Sequence, residues 1–426
     1  MDPRRWALFG IVMITCLVAM EGTVVSTAMP RTVAELGGSE HIALVFSVYL
    51  GALAITGPVW GNLADRWGAR PVYILCVVVF LIGSTWAAMV QSMYELVLAR
   101  FVQGLGGGGL TPLGQTVLSL IYEKQERASA QAWLVGAFGL ASLFGPPLGG
   151  WITEEVNWRW VFLLGLPFGG LGALMLYFFL RPPVLTPKKV PFDWLGLGLF
   201  VSWMLLTLRV THAFQPLLVL AVGVVGLLLL GHSRRLEHPF LPLPLLRFPV
   251  FAAATGLAPL LGAGIFGGVS YFPLYLQKHF GMDSLQAGRA MLPMMMGWVA
   301  CSSQSARLGL RFGYAPVVGL SSLGLLFGYL SLCFGWVAPG QIGLGMAGGL
   351  SFTPLTLSVQ EAVAREQLGQ TTASVVFLRT LGASLGTAVL GAVLHGWGFV
   401  WMFRVGAFLA GLALLAFLPY RRALIS

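Results

Sequence analysis

Glu21 stands inside an apolar run that begins near Trp6 and holds no other acid before Pro30. A charge near the centre of a hydrocarbon layer costs about 2.5–3.5 kcal/mol on insertion scales. Burial disfavours the charged form of a carboxyl, which brings proton exchange into the physiological range. The chemistry open to Glu21 is therefore reversible protonation. Arg100, in "LARFVQGLGGGG" (98–109), is its candidate partner. At about 1.5 Å per residue, Glu21 lies roughly 13 Å from the outer end of its segment and Arg100 roughly 8 Å from the outer end of its own, so the two can meet at similar depth. Pairing favours the carboxylate and separation favours the acid, so titration and movement become linked. A permanent ion pair that only joins two helices is the other reading of these residues.

Four more polar side chains are candidates for a substrate cavity: Gln103, Gln304, Gln360 and Arg379. Gln304 and Gln360 can instead simply cap or bridge helices. Arg379, roughly 15 Å into its segment at the helical rise, and Arg404 can meet an anionic or lipid head group, or pair with carbonyls or with acids such as Glu154 and Glu155. No catalytic set is visible, because HExxH and paired intramembrane aspartates are missing from the sequence. A Walker A motif is missing too, and "GLGGGG" follows a helical segment where a phosphate loop would follow a strand. The six histidines sit at segment ends without ligand spacing, so no metal is expected. Protons are the only coupling species expected, with no cofactor.

The elements that hold these residues are set by composition. With 57% hydrophobic and 9% charged residues, too little polar surface exists to cover a water-soluble globule of this size. Apolar runs of about 20 residues recur along the chain, the length a helix needs to cross the hydrocarbon core, whereas barrel strands would be shorter and alternating. The fold class is an all-α polytopic membrane protein with fourteen predicted spans: 7–30, 42–62, 72–91, 95–119, 129–152, 160–180, 194–210, 214–232, 250–277, 286–306, 315–336, 339–360, 370–394 and 397–420. The seventh and eighth form a hairpin inserted between two six-helix bundles. The expected domains are a first bundle over 1–181, a linker with the hairpin over 182–247, and a second bundle over 248–426. The first segment, too long for a signal-peptide core, is expected to be a retained helix.

Short cytoplasmic loops carry an excess of Lys and Arg. With the N-terminus inside, seventeen basic residues, among them Arg66, Arg181, Lys188, Lys189, Arg311, Arg365 and Arg421, fall on the inner side and five on or near the outer. Both termini are thus expected in the cytoplasm, in a plasma membrane that is the inner membrane of a bacterium. The net charge of +10 sits in these loops, not as a stripe on a folded domain, so nucleic acid is not expected as a partner. The expected partners are the lipid bilayer and an amphiphilic small molecule, and a monomer is expected. Cys16, Cys76, Cys301 and Cys333 all lie in apolar segments, which excludes a loop disulfide framework.

The two halves echo one another. "RWGARPV" (66–72) matches "RFGYAPV" (311–317), and "GLGGGGLTPL" (104–113) matches "GLGMAGGLSFTPL" (343–355). Such repeats mark transporters whose two bundles rock about a midplane site.

"GNLADRWGAR" (61–70) resembles the signature loop between the second and third helices of the major facilitator superfamily, with Gly61, Asp65, Arg66, Gly68 and Arg70 in the expected places. In that resemblance Gly61 and Gly68 allow a tight turn close to a neighbouring helix, and Asp65 locks one side. "GPPLGG" (145–150), with Gly145, Pro146, Gly149 and Gly150, resembles the fifth-helix motif of exporters, although Ala132 and Ala141 replace upstream glycines. "TVVSTAMP" (23–30), "NWRWVFLLGLPFG" (157–169), "DWLGLGL" (193–199), "LQAGRAMLP" (285–293) and "RTLGASLGTAVLGAVL" (379–394) resemble the fourteen-helix drug:proton antiporters. The resemblance implies a proton-coupled exporter of amphiphilic or drug-like compounds, working by alternating access, with an acid at the first-helix position that is usually Asp and is Glu21 here. A lipid or glycolipid transporter on the same fold is the alternative, favoured by deep arginines that outnumber the one deep acid.

Overall fold

The computed structural model describes residues 3–122, 124–180, 192–212, 215–236, 239–241, 243–363 and 368–425. Arg181, Lys188, Lys189 and Arg365 of the inner basic set lie outside them.

Sixteen α-helices follow in order: α1 (Pro3–Leu36), α2 (Ile42–Trp67), α3 (Ala69–Met89), α4 (Met93–Ile121), α5 (Lys124–Glu155), α6 (Arg159–Leu163), α7 (Gly165–Phe179), α8 (Trp194–His212), α9 (Pro216–Ser233), α10 (Pro249–Phe280), α11 (Ser284–Ala290), α12 (Leu292–Phe312), α13 (Tyr314–Cys333), α14 (Val337–Glu361), α15 (Leu368–Trp397) and α16 (Phe399–Ile425). Leu164 between α6 and α7, and Met291 between α11 and α12, keep right-handed helical dihedrals, so each of those pairs makes one passage. The described residues therefore make fourteen passages, which match the predicted spans one for one. By length and apolar composition, ten helices among the described residues can each cross a bilayer. The protein is an all-helical, multi-pass membrane protein.

Two compact units divide the chain. The first holds residues 1–190 and 269–295, the second 191–268 and 296–426. In the first, α3 and α4 pack tightly because glycines on α4 leave no side chain between the backbones. A Cβ on Gly106 would lie 2.3 Å from the Phe80 nitrogen, and one on Gly104 would lie 2.6 Å from the Tyr49 carbonyl of α2. This is the close approach that small residues permit between membrane helices. In the second unit α8 and α9 lean together at a clasp. Asp193, at the N-terminus of α8, accepts from the Gly196 amide at 2.7 Å and the Phe240 amide at 3.0 Å, and meets His232 Nε2 at 2.8 Å. Burial pushes the Asp193 carboxyl up, but the bonds from His232 and the two amides more than offset that and hold it below the usual carboxylate range. Phe200 of α8 packs on Phe377 of α15 at 5.2 Å between ring centroids.

The sequence repeat is a structural repeat as well. Gly68, between α2 and α3, has φ 90°, and Gly313, between α12 and α13, has φ 87°. Both take a left-handed turn that only glycine enters without strain. Gly61 differs from its expected role, since among the described residues a Cβ there would meet nothing within 4 Å. Gly68→Ala is therefore expected to lower stability by about 1 kcal/mol or more, while Gly61→Ala leaves it unchanged or slightly raised. Thermal unfolding of both purified variants in one detergent checks this contrast.

Candidate functional site

The site lies within the first unit, where α1, α2, α3 and α4 each contribute a polar group. Ridges of apolar residues hold their spacing: Ile11, Ile14 and Leu17 of α1 pack with Tyr73, Val77 and Phe80 of α3 and Leu110 of α4 in one buried cluster. Above this layer α1 carries Glu21 and α4 carries Arg100, which is fully buried. The Arg100 Nη1 donates to Glu21 Oε1, a buried ion pair. The same Nη1 donates to Gln103 Oε1 at 2.5 Å, and the Arg100 Nε donates to the Val45 carbonyl of α2 at 3.4 Å. Gln103 turns its amide nitrogen to Glu21 Oε2 at 3.1 Å and to the Ser84 hydroxyl of α3 at 2.7 Å. Both carboxylate oxygens of Glu21 thus accept a bond. The Tyr49 ring of α2 covers the guanidinium, with Cζ 3.9 Å from the ring centroid.

This arrangement offsets a large desolvation cost. A charge in a dry interior is tolerated only when paired and hydrogen-bonded, and a desolvated cation over an aromatic face gains about 2 kcal/mol. Removing one member of a buried pair typically costs about 3–5 kcal/mol. Lysine offers no planar fork able to serve Glu21, Gln103 and the Val45 carbonyl while lying flat on Tyr49. Arg100→Lys is accordingly expected to keep the charge yet lower the unfolding temperature by several degrees. An unchanged melting curve for that variant would mean that the fork contributes nothing.

On its other side Glu21 borders a small cleft lined by Leu17, Met20, Val24, Val161, Leu164, Gly165 and Phe168, where it is the single polar side chain. The cleft is about wide enough for one water molecule.

The motif "GPPLGG" presses α5 onto α1 just beyond Glu21. A Cβ on Gly145 would lie 2.3 Å from the Thr23 hydroxyl; on Gly149 it would lie 2.6 Å from the Thr27 hydroxyl and 2.9 Å from Val24 Cα. A Cβ on Gly150 would lie 2.2 Å from the Ser284 carbonyl oxygen, and one on Gly288 of α11 would lie 2.2 Å from the Pro146 carbonyl oxygen. A second network ties the far end of α1 to "NWRW". Glu35 accepts from Trp158 Nε1 at 2.6 Å and from Arg159 Nη1, and Arg159 Nη2 donates to the Val90 carbonyl at 3.1 Å.

The remaining candidates fall elsewhere. Asp65 and Arg66 are exposed at the end of α2, while Arg70 donates to the Tyr177 carbonyl and lies over the Tyr177 ring. Gln304 is exposed on α12. Gln360 donates to Thr372 Oγ1 at 2.7 Å, so it bridges α14 to α15. Glu154 pairs with Arg31 at 2.5 Å. Arg404 is exposed and rests on Trp401, with Cζ 4.9 Å from the ring centroid. Arg379 lies over Phe352 at 4.3 Å. Sequence reasoning missed Tyr49 and Ser84. Nothing in the sequence marks Ser84; the structure brings it to Gln103 through Gly83, where a Cβ would meet the Gln103 backbone nitrogen at 2.3 Å.

Residues 11–387 match the family model of the Major Facilitator Superfamily. The chain belongs to the major facilitator superfamily. Among superfamily proteins it is similar to multidrug transporter protein MdtP of Bacillus subtilis (strain 168), 30% identical over 413 residues, covering 92% of this chain and 76% of that one. It is similar also to multidrug resistance protein 3 of the same strain, at 27% identity over 408 residues, covering 91% of this chain and 79% of that one. Two solved superfamily folds align along almost the whole chain. A mutant form of the nucleoside transporter NupG has TM-score 0.70 and 15% identity, covering 99% of this chain and all of that one. A D-xylose-proton symporter has TM-score 0.66 and 17% identity, covering 98% and 95%. At such low identity these two speak for the fold only. As a superfamily member the protein is a membrane transporter, not an enzyme.

Proposed function

We propose that this transporter exports amphiphilic, drug-like small molecules in exchange for protons by alternating access, with Glu21 as the proton carrier and Arg100 as its switchable partner. The observation that carries the reading is the burial of Glu21 of α1 against Arg100 and Gln103 of α4, with Gln103 held in turn to Ser84 of α3. Deprotonated Glu21 holds Arg100 and Gln103 together. When a proton arrives, the carboxyl loses its charge, the guanidinium loses its counter-ion, and the helices carrying them gain a reason to separate. The exporter reading is supported by the relatives named for multidrug transport and by the α1–α5 contact that the "GPPLGG" glycines permit.

The excess of basic residues in one set of loops supports an orientation with both termini in the cytoplasm. Protons would then enter along the electrochemical gradient as substrate leaves. The test is a proteoliposome assay with an imposed pH gradient, in which wild-type protein moves a lipophilic dye against its gradient and dissipation of the pH gradient stops it. Dye movement that ignores the pH gradient would overturn the proposal.

A further inference from the structure

The second unit carries a deep cation whose surroundings differ from those of Arg100. Arg379 lies eleven residues into α15, far from either helix end. Its Nε is closed off from solvent and meets no hydrogen-bond acceptor, and none of the ion pairs among the described residues includes it. The acids within this unit's sequence are Asp193, Glu237, Glu361 and Glu366. Asp193 is engaged with His232, and Glu361 accepts from the Tyr314 hydroxyl at 2.5 Å; Glu237 and Glu366 lie outside the described residues.

What Arg379 does have is an aromatic platform. Its guanidinium carbon is 4.3 Å from the Phe352 ring centroid. Phe352 stacks on Phe266 at 6.1 Å with the rings 24° apart, and Trp298 stands 6.2 Å from each. The backbone holds this platform in place: Gly262 of α10 packs on the Arg379 carbonyl, where a Cβ would be 2.2 Å from the oxygen, and Gly348 of α14 is covered by the Trp298 ring. Arg379 is part-buried, with its Nε sealed; a guanidinium without a counter-ion is costly where water is scarce, and its open donors fit a planar carboxylate or a phosphate in a fork. The neighbouring rings suit an apolar or aromatic body.

We infer that Arg379, with Phe352, Phe266 and Trp298, is a recognition point for an organic anion with an aromatic or apolar body, so the exported substrates include amphiphilic anions. This deepens the exporter reading and rests on it for direction of movement. Outward passage of an anion and inward passage of a proton both carry positive charge inward, so an inside-negative potential drives both. An anionic lipid head group presents the same chemistry to Arg379.

The test is equilibrium binding at fixed pH, without any gradient, to full-length protein in phosphatidylcholine nanodiscs. The probes are 2-naphthoate, its neutral isostere 2-naphthamide and the cation 2-naphthylmethylammonium. Wild-type protein is expected to bind 2-naphthoate at least tenfold tighter than the other two. Arg379→Gln removes that preference while leaving 2-naphthamide binding unchanged, and it unfolds at no lower temperature than wild type, because it removes an uncompensated charge. Nanodiscs with added phosphatidylglycerol separate the two sources of anion: competition with 2-naphthoate assigns the site to a lipid head group, and absence of competition to a soluble amphiphile. Both outcomes uphold an anion site. Absence of a charge preference in wild type, preference for the cation, or a lower melting temperature for Arg379→Gln would overturn it. Binding is read without a gradient and the proteoliposome assay with one, so a failure of proton coupling leaves the 2-naphthoate preference in place, and a failure of the anion site removes that preference while pH-driven dye movement persists.

Discussion

Glu21→Gln is expected to bring proton-driven transport down to the level of empty liposomes, a loss of at least a hundredfold. Glutamine has nearly the shape of the carboxyl and can still accept from Arg100, but it cannot take up or give back a proton. It also leaves the Arg100 guanidinium buried without a counter-charge, so the variant is expected to lose up to about 3–5 kcal/mol of stability. The two effects are separable. In the double variant Glu21→Gln, Arg100→Gln, no charge is stranded, and the melting temperature should recover most of the single variant's loss while transport stays absent. A pair with a purely structural role predicts something else, namely that restored stability restores transport. Melting curves and dye uptake measured on the same three preparations, wild type, single variant and double variant, decide between them.

Gly149→Val is expected to reduce transport at least tenfold and to destabilise the protein by about 1–3 kcal/mol or more, the range for forcing bulk into a packed interior. The reason is local. Where a Cβ would sit, the Thr27 hydroxyl is 2.6 Å away, Val24 Cγ1 2.8 Å and Val24 Cα 2.9 Å. The first two atoms can rotate away in part, but Val24 Cα is backbone, so α1 itself must shift. Since α1 carries Glu21 one turn away, the shift reaches the ion pair. Gly136→Ala on the same helix is the control, because a Cβ there meets nothing within 4 Å. It should leave transport unchanged and stability unchanged or slightly improved, as expected when a helical glycine becomes alanine.

Much of the fold was legible because hydropathy and charge report on the membrane directly. The fourteen passages, including the hairpin α8 and α9, follow the predicted spans, and the match between residues 66–72 and 311–317 foretold two turns with nearly the same φ. Boundaries were less legible. The predicted first span, 7–30, grew to Pro3–Leu36 with Pro30 inside it. Hydropathy measures the stretch that must sit in oil, whereas a helix continues as long as its backbone groups find partners, and that happens beyond the oil too.

The site was legible where depth decided it and illegible where helix rotation did. Glu21 and Arg100 could be placed together because each is a lone charge at a calculable depth, whereas Gln103, expected in a substrate cavity, joins that pair one turn from Arg100. Ser84 and Tyr49 are ordinary membrane-helix residues until the rotation of α3 and α2 about their axes is known. The same unknown moved Gln304 to an exposed face and turned Gln360 into a bridge to Thr372. Gly61 shows a different lesson: its place in a motif did not reveal whether any neighbour approaches it, and among the described residues none comes within 4 Å of a Cβ there.

The most direct measurement is proton release or uptake recorded with a pH-sensitive dye trapped inside proteoliposomes, as a substrate gradient of opposite direction is applied at zero pH gradient. Wild-type protein is predicted to drive a substrate-dependent change in internal pH, and Glu21→Gln protein to show none while remaining folded. A substrate-driven pH change of equal size in the Glu21→Gln protein would contradict the role assigned to this carboxylate.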